Sequence, residues 1–480
     1  MVDFIGRQRE LNALAAMLSG LQEEIGTARP GRCIVLRGRR RIGKSALVEE
    51  FVDRNRVPNV FYTSEIGFGS DPLGEFVDAV RGSSLPDADI FAEALPGNWT
   101  AALRQLAGIL PEDQPSVVVL DELPYLMDPA GAFESVLQRA WDRELSRKPV
   151  LLILIGSDLA MMHILTSYGR PFHQRGTEMR LGPLDPGDVA AMTGLEPAAA
   201  FDATLITGGL PIITARWHTG DSVRAFLSRE LADPVSPLVV SAQLTLAAEF
   251  PDQTQARQVL AAIGSGERTF TNIARAAGGI AHSTLSRATE LLTDKGIVAA
   301  ELPISLTPSK ERRYRITDPY LRFWLTFLGP HLTELDRMRP DLTLERICRR
   351  WTSWRGRAVE PLIREALARV LPSHGIPAVP AVGGYWTRSN DVEIDIVGAD
   401  REPVARDLAF FGSIKWLENS PFDSHDLSEL QHHRHRVTDE PIPLIAVTRS
   451  GVTTGHLDAV FTPEELLGAW QSRRGSDQEI

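Results

Sequence analysis

The chain has 480 residues, 43% of them hydrophobic, and a net charge of −11. Its length predicts several domains rather than one, and its acidic balance excludes nucleic-acid binding through overall charge, so any such contact needs a local basic patch. With only two cysteines, Cys33 and Cys348, the composition excludes a disulfide framework and favours a reducing cytoplasm.

The beginning of the chain, MVDFIGRQREL, has no apolar stretch of the kind found in signal peptides. The longest apolar stretches, such as VLLILIG, fall far short of the ~18 residues that a membrane helix needs. We therefore expect a cytoplasmic protein with no membrane partner.

The first predicted element is a buried strand at 33–37, which leads through GRRRIGKS into an amphipathic helix at 44–53. A strand before and a helix after are the context that the phosphate-binding motif G-x-x-x-x-G-K-[ST] requires. The glycines let backbone N–H groups curl around phosphate oxygens, the lysine reaches the β- and γ-phosphates, and the serine hydroxyl holds Mg²⁺. We expect at least two of the three arginines in the loop to be solvated. The predicted nucleotide-binding residues of this loop are Gly38, Arg39, Arg40, Arg41, Ile42, Gly43, Lys44, Ser45 and Ala46.

A second buried strand, in SVVVLDELPYL, ends in Asp121 and Glu122. Asp121 is placed to share the magnesium with Ser45, and Glu122 to polarise the attacking water as general base. A third strand, in VLLILIGSDL, ends in Ser157, which either senses the γ-phosphate or caps a helix. Arg175 is the candidate for an arginine that contacts the γ-phosphate, with a surface position as the alternative. Together these residues predict ATP and Mg²⁺ as cofactors.

Five segments in chain order carry a resemblance to a known family: FIGRQREL, GRRRIGKS, VVVLDELPYL, LLILIGSDLAMM and GGLP. In them the sequence resembles the archaeal-type ATPases of the STAND group of P-loop NTPases. The resemblance implies a parallel α/β sheet in which an extra strand separates the P-loop strand from the Asp strand. It also implies that Gly6 and Arg7 lie near the adenine, and that Gly209 and Pro211 belong to a lid that couples the nucleotide state to the next domain.

Residues 268–301 follow the order helix, glycine turn, helix, glycine stop and strand, and the segment 304–324 suggests two strands around a charged tip. This order predicts a winged helix, which either binds DNA or only docks against the ATPase domain. The candidate contacts to DNA phosphates are Arg287, Arg312, Arg313 and Arg315.

Near the C-terminus, a predicted amphipathic helix at 356–371 carries Glu360, and the stretch DVEIDIVGAD alternates polar and apolar residues. This alternation places Asp391, Glu393 and Asp395 on one face of a strand. Another predicted strand, LAFFGSIKW, ends near a lysine. Helix, acidic strand and lysine strand are the outline of a restriction-endonuclease-like fold, in which carboxylates hold Mg²⁺ and a lysine assists the attacking water.

The residues that match the nuclease-like site of the family are Glu360, Asp395, Lys415 and Trp416. Ser413, however, stands where the pattern has a glutamate, and a neutral hydroxyl is a poor ligand for Mg²⁺. Either Glu393 substitutes for the missing acid, or the domain is a non-catalytic remnant that binds nucleic acid or protein.

The sequence therefore predicts an α/β multidomain protein: a Mg²⁺-dependent ATPase switch coupled to a winged helix and a degenerate nuclease-like domain. Two alternatives stay open, a nucleotide-sensing DNA-binding regulator with little turnover and an ATP-regulated, Mg²⁺-dependent DNA nuclease. The expected partners are ATP and ADP, DNA through the winged helix, and a second copy of the chain when ATP is bound. The expected domains are a P-loop core (1–184), a helical lid (185–238), a winged helix (239–330), a linker helix (331–352), a restriction-endonuclease-like domain (353–470) and a disordered tail (471–480).

Overall fold

The computed structural model of the chain separates into two compact units, Met1–Pro183 and Leu184–Ile480. No helix among the described residues is long and apolar enough to cross a membrane. The structure describes residues 4–64, 71–127, 132–156, 162, 173–250 and 254–475.

The first unit is built around a five-stranded parallel sheet with the strand order β2-β3-β4-β1-β5. Every residue of β3 and β4 is buried, so both faces of these central strands are covered, as parallel sheets require. The position of β4 between β1 and β3 is the one that the family resemblance implies for the extra strand. The elements of this unit are α1 (Gln8–Glu23), β1 (Arg32–Arg37), α2 (Lys44–Asn55), β2 (Asn59–Thr63), α3 (Pro72–Arg81), α4 (Ile90–Glu93), α5 (Trp99–Ile109), β3 (Ser116–Asp121), α6 (Ala132–Arg143), β4 (Val150–Gly156) and β5 (Thr177–Arg180).

The second unit begins with short helices in the region of the predicted lid. It continues into the region of the predicted winged helix, where helices are followed by two antiparallel strands. One apolar core contains residues from both regions, and the predicted boundary at 238 falls inside a single helix, α11. The elements are α7 (Pro186–Thr193), α8 (Pro197–Thr207), α9 (Pro211–Thr214), α10 (Val223–Ala232), α11 (Pro237–Glu249), α12 (Thr254–Gly264), α13 (Phe270–Ala276), α14 (His282–Asp294), β6 (Val298–Glu301), β7 (Arg313–Ile316), α15 (Pro319–Phe327), α16 (Leu332–Asp336) and α17 (Pro340–Val370).

Helix α17 is 31 residues long and runs through the predicted boundary between linker and C-terminal domain at 352. Pro361 lies in its interior. Because proline has no N–H, it cannot bond the carbonyl four residues earlier, and this carbonyl, that of Arg357, instead accepts a hydrogen bond from Nη1 of Arg322 at 3.3 Å. The expected linker helix and the first helix of the C-terminal domain are thus one element.

The C-terminal part of the second unit is a mixed sheet with the strand order β12-β11-β10-β9-β8. Pairs β8–β9 and β9–β10 are antiparallel, and pairs β10–β11 and β11–β12 are parallel. Because α19 extends to Gly475, the predicted disorder of 471–480 is wrong for 471–475, and the last five residues lie outside the described part. The elements are β8 (Ala381–Trp386), β9 (Glu393–Ala399), β10 (Leu408–Lys415), α18 (Ser424–Val437), β11 (Leu444–Thr448), β12 (Ala459–Phe461) and α19 (Pro463–Gly475).

The wing loop, residues 302–312 between β6 and β7, docks on the C-terminal sheet. Ile304 is 1% exposed and belongs to the core between the sheet and α18. Its N–H donates to the carbonyl of Gly384 at 2.9 Å, and the N–H of Ser305 donates to the carbonyl of Pro403 at 3.1 Å. The strand predicted near 304 is therefore reduced to one bridge, between Ser305 and Val404.

Candidate functional site

The predicted phosphate-binding loop connects the end of β1 to the start of α2. Gly43 precedes the helix at φ 90°, a left-handed conformation that favours glycine. A Cβ on Gly38 would lie 2.7 Å from the carbonyl oxygen of Leu181. The backbone path of the loop therefore depends on glycine at both positions, as in glycine-rich loops whose N–H groups bind phosphate.

Lys44, the first residue of α2, is buried under this loop. Its Nζ donates to the carbonyls of Gly38 at 3.0 Å and Arg39 at 3.1 Å. Burial lowers the pKa of Lys44, whereas the carboxylates of Glu122 and Asp121 act in the opposite direction. The ammonium group is thus held inside the loop by carbonyls and by the acids at the end of β3.

The end of β3 brings two carboxylates to the start of α2. The hydroxyl of Ser45 donates to Oδ2 of Asp121 at 2.5 Å, although the two residues are 76 positions apart. The N–H of Glu122 donates to Oδ1 of Asp121 at 2.7 Å. A hydroxyl beside a carboxylate, next to a glycine-lined loop, is an oxygen ligand set that fits Mg²⁺ bound to phosphates.

Glu122 itself has φ 50°, which is rare for a residue with a side chain. Such conformations are maintained only where the surrounding structure enforces them, and they concentrate at functional sites. The predicted general base therefore lies directly after the predicted magnesium ligand, in a conformation that points to a functional constraint.

The first motif of the resemblance lies against the same loop. Gly6 and Arg7 both have positive φ, 81° and 60°. Arg7 is 7% exposed, and its Nη2 donates to the carbonyl of Ile42 at 3.2 Å. Arg40 and Arg41 of the loop are exposed to solvent. Ser157, the predicted γ-phosphate sensor, lies outside the described residues.

Arg175 lies at the opposite end of the sheet from the loop. Strand β5 is parallel to β1 with Thr177 beside Ile34, so Arg175 is level with the beginning of β1. That places it about five residues, roughly 17 Å, from the end of β1. Its guanidinium forms a two-point ion pair with Asp142, at 2.8 and 2.9 Å. Arg175 is therefore too far away to reach a nucleotide bound in the loop of the same chain. For such a nucleotide, the prediction that Arg175 contacts the γ-phosphate is wrong.

The Gly-x-Pro segment of the predicted lid forms a tight corner at the start of the second unit. The N–H of Leu184 donates to the carbonyl of Gly209 at 2.9 Å. Gly209 has φ 66°, and a Cβ there would lie 2.0 Å from the carbonyl oxygen of Leu184. Pro211 then begins α9. Only glycine fits the middle of this corner.

Helix α8, in the region of the predicted lid, carries a carboxylate into the C-terminal core. Asp202 is 2% exposed, and its Oδ2 accepts bonds from Arg355 at 3.1 Å and Arg449 at 2.7 Å. Arg355 is fully buried and also donates to Glu418 at 2.7 Å and to the carbonyl of Trp416 at 3.0 Å. We call Asp202, Arg355, Glu418 and Arg449 the Asp202 cluster; it joins the lid, α17 and the C-terminal sheet.

The predicted acids of the nuclease-like site do not form a metal site. Among the described residues, no three carboxylate, histidine or cysteine side chains are close enough to hold a metal ion. Burial alternates as predicted from Glu393 to Ile396, but β9 begins only at Glu393, so Asp391 lies before the strand, and a bulge opposite Gly384 contains Asp395. Asp391 pairs with Arg436 at 3.1 Å.

The other predicted members of this site also have partners of their own. Glu393 pairs with Arg313 at 2.6 Å. Oδ2 of Asp395 accepts the N–H of Ile414 at 2.8 Å and the hydroxyl of Ser413 at 3.2 Å. Lys415 pairs with Asp426 in the first turn of α18 at 2.7 Å, not with an acid of β9. Ser413 thus occupies the place of the expected glutamate without supplying a charge.

Glu360→Gln should make the protein more stable than the wild type at pH 8 and leave it nearly unchanged at pH 5. Burial raises the pKa of Glu360 to about 7; Arg364 opposes this and Asp395 adds to it. Because the folded pKa is above its ordinary value of 4.5, the contribution of Glu360 to stability is fully present below about pH 4.5 and is lost as pH rises through about 7. At pH 8 the free energy of unfolding of Glu360→Gln should exceed that of the wild type by about 2–3 kcal/mol.

Urea unfolding of both proteins at the two pH values measures this gap. Glu365→Gln, an exposed carboxylate on the same helix, is the matched control and should differ from the wild type equally at both pH values. A Glu360→Gln effect that does not change with pH would contradict the argument.

The candidate DNA contacts divide into two pairs. Arg287 on α14 and Arg312 on the wing loop are exposed. Arg313 is 8% exposed, and besides Glu393 its guanidinium lies 4.5 Å from the ring centre of Trp386. Arg315 pairs with Glu301 on the neighbouring strand. Arg313 and Arg315 contact protein groups instead of facing solvent, so the prediction that they contact DNA phosphates is wrong for these two residues.

The sequence interpretation missed two groups of residues. One is the Asp202 cluster, signalled only by a single acid within the otherwise apolar helix PAAAFDATLIT. The other is a set of arginines around Glu360. The positions of Arg357, Glu360 and Arg364, three and four apart, would have indicated a shared helix face.

Comparison with known proteins gives similarity at several levels. Residues 324–429 match the family model DUF234, described as archaea bacterial proteins of unknown function. The chain is 25% identical over 428 residues to the Uncharacterized protein MJECL04 of Methanocaldococcus jannaschii, covering 86% of this chain and 88% of that protein.

Solved structures with similar folds include the Walker-type ATPase PABY2304 of Pyrococcus abyssi, with a TM-score of 0.48 and 18% identity over 67% of this chain and 96% of that one. They also include the ORC2 protein of Aeropyrum pernix in its ADPNP–ADP complexes, with a TM-score of 0.43 and 14% identity over 72% and 96%. The chain is thus similar over most of its length to one archaeal protein, and its segment 324–429 matches the family model.

Proposed function

We propose that this protein is a Mg²⁺-dependent ATPase that acts as a STAND-type switch and passes its nucleotide state to the lid, the winged helix and the C-terminal domain. The observation that carries the proposal is the contact between Ser45 and Asp121 beside a loop that requires glycine and encloses Lys44. Structural roles alone do not require a lysine, a hydroxyl and two acids to meet at one sheet edge.

The residues of the loop fit a nucleoside triphosphate. Backbone N–H groups from Gly38 to Ser45 would bind phosphate oxygens, and Lys44 would exchange its loop carbonyls for the β- and γ-phosphates. Ser45 and Asp121 would hold Mg²⁺, which neutralises charge on the phosphate oxygens. Glu122 would orient and deprotonate the attacking water.

Two features support a switch rather than a simple hydrolase. The corner at Gly209 and Leu184 has one tight arrangement, so a change there would move α8 and α9 together. Helix α8 also carries Asp202, whose two arginine partners lie on α17 and just after β11. A displacement of the lid would therefore be transmitted to the C-terminal domain through buried charges.

The proposed role of the C-terminal domain is binding rather than cleavage. Its lysine is paired with Asp426, its central strand has Ser413 in place of an acid, and Glu393 is paired with Arg313. None of these groups is disposed around a common metal position. The proposal therefore includes no nuclease step.

Phosphate release from ATP by the purified full-length chain tests the proposed function. We expect turnover that requires Mg²⁺ and stops when EDTA is added. Absence of turnover, with and without duplex DNA present, would refute the proposal.

Glu122→Gln should bind Mg²⁺-ATP as well as the wild type and hydrolyse it at least about a hundredfold more slowly, because glutamine cannot accept the proton of the attacking water. Equilibrium binding and single-turnover hydrolysis, measured on the same samples, separate the two steps. Glu75→Gln, a change on α3 of the first unit, is the control and should hydrolyse at the wild-type rate. Rapid hydrolysis by Glu122→Gln would assign the base to another residue.

Binding of duplex DNA is the second candidate function, favoured by the exposed face of α14 with Ser283, Ser286 and Arg287. The wing loop, by contrast, is occupied by its contacts with the C-terminal sheet. We expect weak binding that falls steeply with salt and is reduced by Arg287→Gln.

A further inference from the structure

The region between the winged helix and the C-terminal domain contains more positive than negative charge. Six guanidinium groups line one small cavity, and three carboxylates pair with members of this set: Glu393, Glu301 and Glu360. We call this cavity the arginine pocket. Its arginines are Arg268, Arg313, Arg315, Arg322, Arg357 and Arg364.

The surplus charge is concentrated on two of these arginines. No carboxylate among the described residues lies within ion-pair distance of Arg322 or Arg357, whereas the other four each contact an acid. Arg322 donates only to a carbonyl, the one released by Pro361. Arg322 is partly buried and Arg357 is exposed. Partly buried positive charge without an anionic partner is costly, so an anion bound beside Arg322 would stabilise the site.

The titration of Arg322 agrees with this surplus. Burial lowers its pKa to about 10; Glu360 opposes the shift, and the guanidinium groups of Arg315 and Arg268 add to it. A guanidinium normally titrates far above this value, so burial, with a smaller contribution from the neighbouring guanidinium groups, disfavours its charge.

The size of the pocket limits the anion. The arginine pocket has a volume of about 40 Å³, which is room for roughly three waters or one tetrahedral oxyanion. Guanidinium groups bind phosphate by two parallel hydrogen bonds and are preferred for that purpose. A single phosphate group is therefore the ligand that this chemistry selects.

A second, larger cavity adjoins the arginine pocket and shares Arg315, Arg364 and Trp386 with it. Its volume is about 540 Å³, within the range of small-molecule sites. Apolar walls come from Leu302 and Val382, and Glu402 supplies an acceptor for a hydroxyl or amino group. Nη2 of Arg364 lies close to the backbone of Gly384, where a Cβ would be 2.7 Å away.

We propose that these two cavities form a binding site for a phosphorylated small molecule of sugar-phosphate or mononucleotide size, with its phosphate in the arginine pocket. The residues that would hold the phosphate belong to the winged helix, α15 and α17. A bound molecule would therefore stabilise the docking of the wing on the C-terminal sheet. This site is independent of the ATP site, since all of its residues belong to the second unit.

Titration calorimetry of the full-length chain with ribose 5-phosphate, inorganic phosphate and a short DNA oligonucleotide with or without a 5′-phosphate tests the proposal. We expect ribose 5-phosphate to bind more tightly than inorganic phosphate and to raise the thermal unfolding midpoint. Arg322→Gln and Arg357→Gln should each weaken binding about tenfold or more.

Arg349→Gln, an exposed arginine on the same helix as Arg357, is the matched control and should bind normally. Lys44→Ala should also bind normally, which separates this site from the phosphate-binding loop. Arg357 is exposed enough that its replacement should not affect folding, as circular dichroism would verify.

Three results would overturn the proposal. The first is no binding of either small phosphate, or binding that the two pocket variants leave unchanged. The second is equal affinity for ribose 5-phosphate and inorganic phosphate, since the larger cavity would then contribute nothing. The third is arginine-dependent binding of the 5′-phosphorylated oligonucleotide alone, which would assign the phosphate to a nucleic acid.

Discussion

Lys44→Ala should lower the rate of ATP hydrolysis at least about a hundredfold, the size of effect seen when a preorganised charge or donor is removed from a reacting group. In the structure the lysine ammonium lies inside the loop, held by the carbonyls of Gly38 and Arg39. No other lysine occurs in the loop, and the three neighbouring arginines occupy its variable positions. Alanine keeps the start of α2 helical, so the loss should affect catalysis and phosphate binding more than folding.

Phosphate release with Mg²⁺-ATP measures the loss, and circular dichroism checks that α2 remains folded. Arg54→Ala removes one positive charge from the far end of the same helix, where Arg54 pairs with Glu50, and serves as the control. Hydrolysis by Lys44→Ala within about threefold of the wild-type rate would mean that the loop is structural and that the proposed ATP site is wrong.

Asp202→Ala should destabilise the second unit by about 3 kcal/mol or more, because it leaves buried arginines without one of their acidic partners. Arg355 is fully buried and would retain Glu418 and the carbonyl of Trp416, while Arg449 would lose its 2.7 Å contact. Phe201 and Trp416, whose ring centres are 5.4 Å apart, would lose the neighbouring carboxylate but should stay packed on each other.

Urea unfolding followed by circular dichroism measures this change. Asp336→Ala, an exposed acid of the same unit, should shift the free energy of unfolding by no more than about 0.5 kcal/mol. Replacing the pair with apolar residues, as in Asp202→Leu with Arg355→Met, should recover much of the loss, since a buried ion pair costs most when only one partner is removed. A loss below about 1 kcal/mol for Asp202→Ala would show that the cluster does not hold the lid to the C-terminal domain.

The strand and helix around the predicted phosphate-binding loop could be predicted from the sequence because these parts are neighbours in the chain. The strand predicted at 33–37 is Arg32–Arg37, and the helix predicted at 44–53 is Lys44–Asn55. Gly43 is required by local geometry, a positive φ, whereas Gly38 is required by the close approach of the carbonyl of Leu181, which is distant in the chain. The Asp strand also has a local signal, an apolar run that ends in acids.

The errors arose where function depends on contacts between distant segments. The place of Arg175 is set by the register of β5 beside β1, which no local pattern encodes. Burial in β9 alternates as predicted from Glu393 to Ile396, but Glu393 pairs with Arg313, which lies 80 positions away in the chain. The predicted boundary at 352 falls inside α17 for a related reason: the helical pattern continues from one predicted domain into the next.

Helix α17 has a consequence for how such a protein can evolve. Its first half contributes Ile347 to the core shared by the predicted lid and winged-helix regions, and its second half contributes Val359 and Ile363 to the core of the C-terminal sheet. A gene fusion or recombination point inside this helix would remove residues from both cores. A recombination point just before the helix would separate Ile304 of the wing loop from the C-terminal core that buries it. We therefore expect residues 184–475 to be inherited as one cassette, with exchange between lineages confined to the junction after Pro183.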